Sequence, residues 1–142
     1  MKILVDTNVF LDLLLKRENQ VENARAFFKK CKNEFHSIYL TSMQLRDIEY
    51  FVHKQFHNAD EVKKILDVTY QIISKFLPLS ADNAINSIYA NYSNFEDQLL
   101  TEAAEENLMD CIVTDNIKDF QKSEGTIPLF TPESFVKTIQ AK

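Results

Sequence analysis

The sequence predicts an α/β protein, a three-layer α/β/α sandwich around a mainly parallel central sheet. Short apolar runs alternate with helical patterns along the chain, the order that strand-helix units produce. The first run, Ile3-Leu4-Val5, is apolar at every position, as a strand covered on both faces must be. A chain of 142 residues with 45% hydrophobic and 26% charged residues suits a single domain spanning 1–142 with a sizeable core.

The opening strand is expected over 2–6, followed by a helical segment VFLDLLLKR and a helix in QVENARAFFKKCKN, spaced by Val21, Ala24, Phe27 and Phe28. Lys29, Lys30 and Lys32 near its end suit the negative pole of the helix dipole. SIYLT, 37–41, is the second strand. Ser42 is expected to cap the next helix, whose stripe is Leu45, Ile48 and Val52; Asn58 or Asp60 opens another, running to about Phe76. Leu77-Pro78-Leu79 reads as a brief strand or connector. Ser80 caps a helix through Tyr89. Ser93-Asn94-Phe95-Glu96 has the S-x-x-E form of a capping box, introducing a helix with Leu99, Leu100, Ala103, Ala104 and Leu108. CIVT, 111–114, is a third clear strand and 127–130 a last one, with Thr131 as N-cap, Pro132 at the first helical position and Glu133 in the first turn.

Composition removes several function classes. A single glycine excludes a P-loop, a dinucleotide-binding glycine turn and a nucleophile elbow, each of which needs several. A net charge of −5 argues against a protein that coats phosphates with a basic face. No apolar stretch reaches the ~20 residues that span a bilayer, and the early charge in MKILVDTNV does not suit a secretory leader, so a cytoplasmic protein with no membrane partner is expected. Cys31 and Cys111 form no CxxC pair and read as reduced, buried thiols.

In parallel α/β sheets the functional crevice lies beyond the carboxyl ends of the strands. Those ends carry Asp6 after ILV, Thr41-Ser42 leading to Asp47 after IYL, and Thr114-Asp115-Asn116 after CIV, with Asp119 one turn on. Asp47 neighbours the core stripe through Ile48, and Asp97 is in the first turn of its helix. Carboxylates gathered at low dielectric without a basic partner must protonate or bind a cation. Oxygen donors alone point to Mg²⁺ or Mn²⁺, since zinc would recruit His or Cys.

On these residues the chain resembles a PIN domain, and in particular the small stand-alone ribonuclease toxins of the VapC type. The segments that carry the resemblance are VDTNVFLDLL, SMQLRDIEYFVHK, NFEDQLLTEAAEENLMDCIVTDNIKDF and IPLFTPESF, in that order over nearly the whole chain. The resemblance implies a PIN-like fold and a Mg²⁺- or Mn²⁺-dependent endoribonuclease. Its metals would be held at positions matching Asp6, Asp47 and Asp97, with a fourth acid from TDNIKD. Asp115 is the favoured carboxylate there; Asn116 occupies the slot of the family's TxD or TxN, and Asp119 competes. The second acid is often Glu in the family and is Asp47 here. An RNA substrate, a cognate antitoxin and a homodimer are also implied by the resemblance.

In this reading Asp6 is the central ligand, Asp47 and Asp97 complete the site, and a water attacks the phosphodiester to leave a 5′ phosphate. Thr7 and Asn8 orient Asp6, although Asn8 serves equally well as a helix N-cap. Asn116 touches the metal shell or the substrate phosphate, and Lys118 is the expected phosphate contact. Glu96 and Asp97 would favour a helix dipole whatever the function. Asp12 could approach the cluster but is expected to pair with Lys16 at i+4, and His53 and His57 are expected to lie on a solvated face, because HKQFH lacks the glutamate of HExxH. A response-regulator receiver would need paired acids after the first strand and a lysine after the last. A haloacid-dehalogenase-type phosphatase would need Asp-x-Asp where Asn8 stands. The remaining alternative is a non-catalytic PIN-like module that binds RNA or protein.

Overall fold

The computed structural model describes residues 1–139. Five strands, β1 (Lys2–Val5), β2 (Ser37–Leu40), β3 (Lys75–Phe76), β4 (Cys111–Val113) and β5 (Leu129–Phe130), form one sheet in the order β3-β2-β1-β4-β5. Every pairing is parallel; Ile3 stands opposite Ile38 on one side and Cys111 on the other. Around it lie α1 (Thr7–Leu14), α2 (Val21–Asn33), α3 (Ser42–Phe56), α4 (Ala59–Ile72), α5 (Ala81–Tyr89), α6 (Phe95–Glu106), α7 (Ile117–Gln121) and α8 (Pro132–Thr138).

The unbroken apolar run of β1 is explained by two cores, one on each face. Ile3 and Val5 pack with Val9, Phe10, Phe27, Ile48, Val52 and Phe135, drawn from α1, α2, α3 and α8, while Leu4 packs with Leu100, Ala103, Ala104 and Phe120 from α6 and α7. Phe27 meets Phe135 edge to face at 5.2 Å, locking α2 onto α8. The expected three-layer α/β/α sandwich with a parallel sheet is therefore the observed fold. Cys31 and Cys111 are buried free thiols, each pushed up to about 12 chiefly by burial, which leaves them packed and unreactive. Among the described residues no helix is long and apolar enough to cross a membrane.

Several boundaries differ from the expectation, each for a local reason. β1 stops at Val5, and Asp6 becomes the N-cap of α1. α3 is capped by Thr41, not Ser42, because Thr41 and Gln44 exchange side-chain and backbone bonds in a capping box. Asn58, of the two candidates, caps α4. That helix ends at Ile72 because the chain turns to pair with β2: Ser74 N–H donates to Ile38 O, and Lys75–Phe76, not Leu77–Leu79, form the strand. α6 is capped by Asn94, whose Oδ1 accepts from Asp97 N–H at 3.1 Å, so Ser93 does not form the expected box with Glu96. The last strand is shorter than 127–130, and α7 was not foreseen as an element.

Leu108 is not a core residue: it lies past α6 at φ 56 and is 77% exposed. A chain with one glycine must fill left-handed positions with other residues, and Lys16, Asn19, Phe35, His57 and Leu108 do so.

Candidate functional site

The strand order places β1 between β2 and β4, reached in opposite directions from it, so the crevice that such a switch creates opens at the carboxyl ends of β1 and β4. Asp6 stands at its floor. Its N–H continues the ladder onto Val113 O at 2.9 Å. One carboxylate oxygen accepts from Thr7 N–H at 2.8 Å and the other from the Thr114 hydroxyl at 2.8 Å. The Thr114 hydroxyl also accepts from Asn116 N–H at 3.0 Å, tying the start of α7 to Asp6. Burial raises the Asp6 pKa, the bonds from Thr114 and Thr7 oppose that rise, and the charge of Asp12 adds to it.

Asp47 reaches the same opening through a buried strut that the sequence reading did not single out. Gln44 Nε2 donates to Val5 O at 2.8 Å, holding the first turn of α3 against the end of β1, so that Asp47 follows one turn later. The T-x-x-Q spacing of Thr41 and Gln44 is the signal that could have revealed it. Asp97 enters from the first turn of α6 under the Asn94 cap, and Asp119 from α7, where the Asn116 side-chain amide donates to it.

These residues enclose a cleft of about 250 Å³ whose wall contains Asp6, Asp47, Glu96, Asp97 and Asp119 together with Thr7, Asn8, Asn94, Asn116, Phe51 and Phe120. Five carboxylates thus line it with no lysine or arginine among them. Burial, then the charges of Asp6, Glu96 and Asp119, push Asp97 up to about 7. Glu96 is raised by burial and by Asp47 and Asp6, against Arg46. Arg46 lies 3.2 Å from Asp47 on the solvent side.

The remaining predicted residues lie beside the cleft. Asp115 is pushed up to about 8 by burial, by the neighbouring Asp12 and by the charge of Asp6, against Arg17, and it is not part of the cleft wall. Lys118 is exposed on α7, also outside the wall. Asp12 does not pair with Lys16. α1 has already ended at Leu14 and Lys16 is left-handed, so Arg17 is the partner, at 3.5 Å. Arg17 also donates to Asn8 Oδ1 at 3.0 Å. His53 sits by Glu49 on the exposed side of α3, and His57 ends that helix.

The donor set is carboxylate and amide oxygen without histidine or cysteine, which suits Mg²⁺ or Mn²⁺ and not zinc. Among the described residues, no three His, Cys, Asp or Glu side chains stand close enough to enclose an ion. Mg²⁺ commonly takes only one or two carboxylates directly, with water and substrate phosphate supplying the rest, so an open acid cleft fits it.

Comparison with known proteins adds two findings. A family model described as a PIN domain matches residues 2–118. The fold is similar to a chain in the crystal structure of VapBC2 from Rickettsia felis bound to a DNA fragment from their promoter, with a TM-score of 0.67 and 18% identity over 92% of this chain and 98% of that one. No curated protein matches the sequence significantly.

Proposed function

The chain belongs to the PIN-domain family, and from that premise we propose that it is a Mg²⁺- or Mn²⁺-dependent endoribonuclease, the toxin of a toxin–antitoxin pair. The observation that carries the reading is the cleft itself, five carboxylates gathered at the sheet's switch point with no basic side chain on the wall. Such an arrangement is costly unless a cation accompanies it.

Asp6, Asp47 and Asp97 would hold the ion, one or two of them directly and the rest through its waters. From the TDNIKD segment Asp119 is on the cleft wall and Asp115 is beside Asp12, which favours Asp119 as the fourth donor. A divalent ion, when bound, neutralises charge on the phosphate and makes water more acidic. Thr7 N–H and the Thr114 hydroxyl fix both Asp6 oxygens, so this carboxylate is already oriented. A water attacks phosphorus in line with the 3′ oxygen; the new P–O bond forms as the P–O3′ bond breaks, leaving a 5′ phosphate and a 3′ hydroxyl. The attacking water gives up its proton to solvent. The leaving oxygen takes its proton from solvent. Asn116 and Lys118 would meet phosphate oxygens of the substrate.

A cytoplasmic toxin of this kind would act on RNA as a homodimer and be silenced by a cognate antitoxin. The similarity to a chain of a VapBC2 complex supports an antitoxin partner. Purified protein supplied with Mn²⁺ or Mg²⁺ should cut RNA, and Asp6→Asn should not. Equal cutting by both would refute the assignment of the cleft. RNA binding by the wild type without any cutting would favour a non-catalytic module.

A further inference from the structure

The acid cleft continues into a second groove of about 630 Å³, lined by Arg46, Asp47, Glu49, Tyr50, Phe51 and Glu96. Asp47, Phe51 and Glu96 belong to both walls, so a chain-like ligand seated on the acids runs on across the aromatic residues. α3 builds this continuity: Phe51 is one helical turn beyond Asp47 on the same face, and Tyr50 is beside it. The rings of Tyr50 and Phe51 meet edge to face at 5.2 Å and are 59% and 40% exposed. Neither ring belongs to either apolar core, and paired exposed rings on the wall of a groove mark a binding surface.

We propose that the rings of Tyr50 and Phe51 are stacking platforms for nucleobases of single-stranded RNA beside the bond to be cut. The proposal rests on the ribonuclease reading and adds the residues that would hold the substrate's bases. A groove carrying three acids and one guanidinium cannot hold RNA by its phosphates. Base faces are what remains, and every unpaired base offers one, whereas a duplex hides them and presents phosphate instead. An apolar protein segment fits less well, since it would take the carboxylates of Asp47, Glu49 and Glu96 out of water on a wall where Arg46 alone is basic.

The chain has no tryptophan, so Tyr50→Trp installs a single fluorophore on the platform. The Asp6→Asn background keeps the RNA intact and removes one charge from the cleft. With Mg²⁺ present, a short unstructured oligoadenylate should quench most of the emission saturably. An abasic ribose-phosphate chain of equal length should leave it unchanged. Emission indifferent to RNA, or equal quenching by the abasic chain, would overturn the proposal. So would a blue shift that grows with protein concentration alone, because it would mean that a second copy covers the rings. With Asp6 intact, Phe51→Ala should raise KM for single-stranded RNA roughly tenfold at unchanged kcat, and Phe51→Tyr should keep the wild-type KM. Cleavage without quenching removes the stacking platform alone; quenching without cleavage removes the nuclease reading alone.

Discussion

Asp6 and Asp12 are both buried aspartates of the first helical segment, 7% and 2% exposed, yet their surroundings differ in kind. Asp12 has a guanidinium beside it, with Arg17 at 3.5 Å, and Asp115 leans against the same pair. Asp6 has only neutral donors, Thr7 N–H and the Thr114 hydroxyl, and faces a cleft whose other charged members are all acids. Burial alone therefore does not distinguish a structural carboxylate from a functional one. What distinguishes them is whether the protein supplies the counter-charge itself.

The largest difference should appear on exchanging the two aspartates' roles in turn. Asp6→Asn is expected to reduce Mn²⁺-dependent RNA cleavage to the level of the metal-free protein while the chain stays folded by circular dichroism. Arg17→Ala, which leaves Asp12 uncompensated, should instead cost about 2–3 kcal/mol in a urea unfolding series. Adding Asp12→Asn to Arg17→Ala should recover part of that loss. A cleft that lost activity only through unfolding would erase the contrast.

A smaller effect is expected where acids repel without a partner. In EDTA at pH 8, Asp97→Asn should melt above wild type by a few degrees, since each like-charge contact removed is worth on the order of 1 kcal/mol at a partly screened site. Mn²⁺ should then raise the wild-type melting temperature more than the variant's, because a ligand stabilises only the state that binds it. An Asp97→Asn protein that melts below wild type under both conditions would contradict mutual repulsion.

The pH dependence of metal-free stability follows from the same groups. Asp97 is raised from 3.8 to about 7 and Asp115 from 3.8 to about 8, so between about pH 4 and 8 the folded protein keeps protons that the unfolded chain has released. Their contribution is fully present below the unfolded value and is lost as pH rises through the folded one. Melting temperature in EDTA should accordingly fall from pH 5.5 to pH 8.5, and Asp97→Asn should flatten that fall. Leu108→Gly, far from either acid group, is the baseline: relief of a left-handed leucine should add about 1 kcal/mol, equally at both pH values and with or without Mn²⁺.

Much of this organisation could be read from residues alone, and its limits are physical. β1 was legible because three consecutive apolar residues have no other stable setting, and the acids at strand ends because charge following such a run needs a reason. Cap positions at Ser42 and Ser93 were misplaced by one residue, since the side-chain oxygens of Thr41 and Asn94 are equally good acceptors and only the chain's path chooses between neighbours. β3 was hidden inside the end of a helical pattern because two residues carry no periodicity. The separation of Asp115 from Asp119 depends on α7, a five-residue helix without a side-chain cap bond. The Asp12–Arg17 pair depends on where α1 stops, which placed Arg17 and not Lys16 beside it.

The central claim, that the acids of the cleft form a cation site, is tested most directly by counting bound Mn²⁺. Free Mn²⁺ gives a six-line electron paramagnetic resonance spectrum that is lost on binding, so titration of the metal-free protein reads occupancy without any substrate. The wild type should take up Mn²⁺ more tightly at pH 8 than at pH 6, because Asp97 must lose its proton, and Asp6→Asn should leave the free signal almost unchanged. Equal uptake by wild type and Asp6→Asn, or uptake by neither, would contradict it.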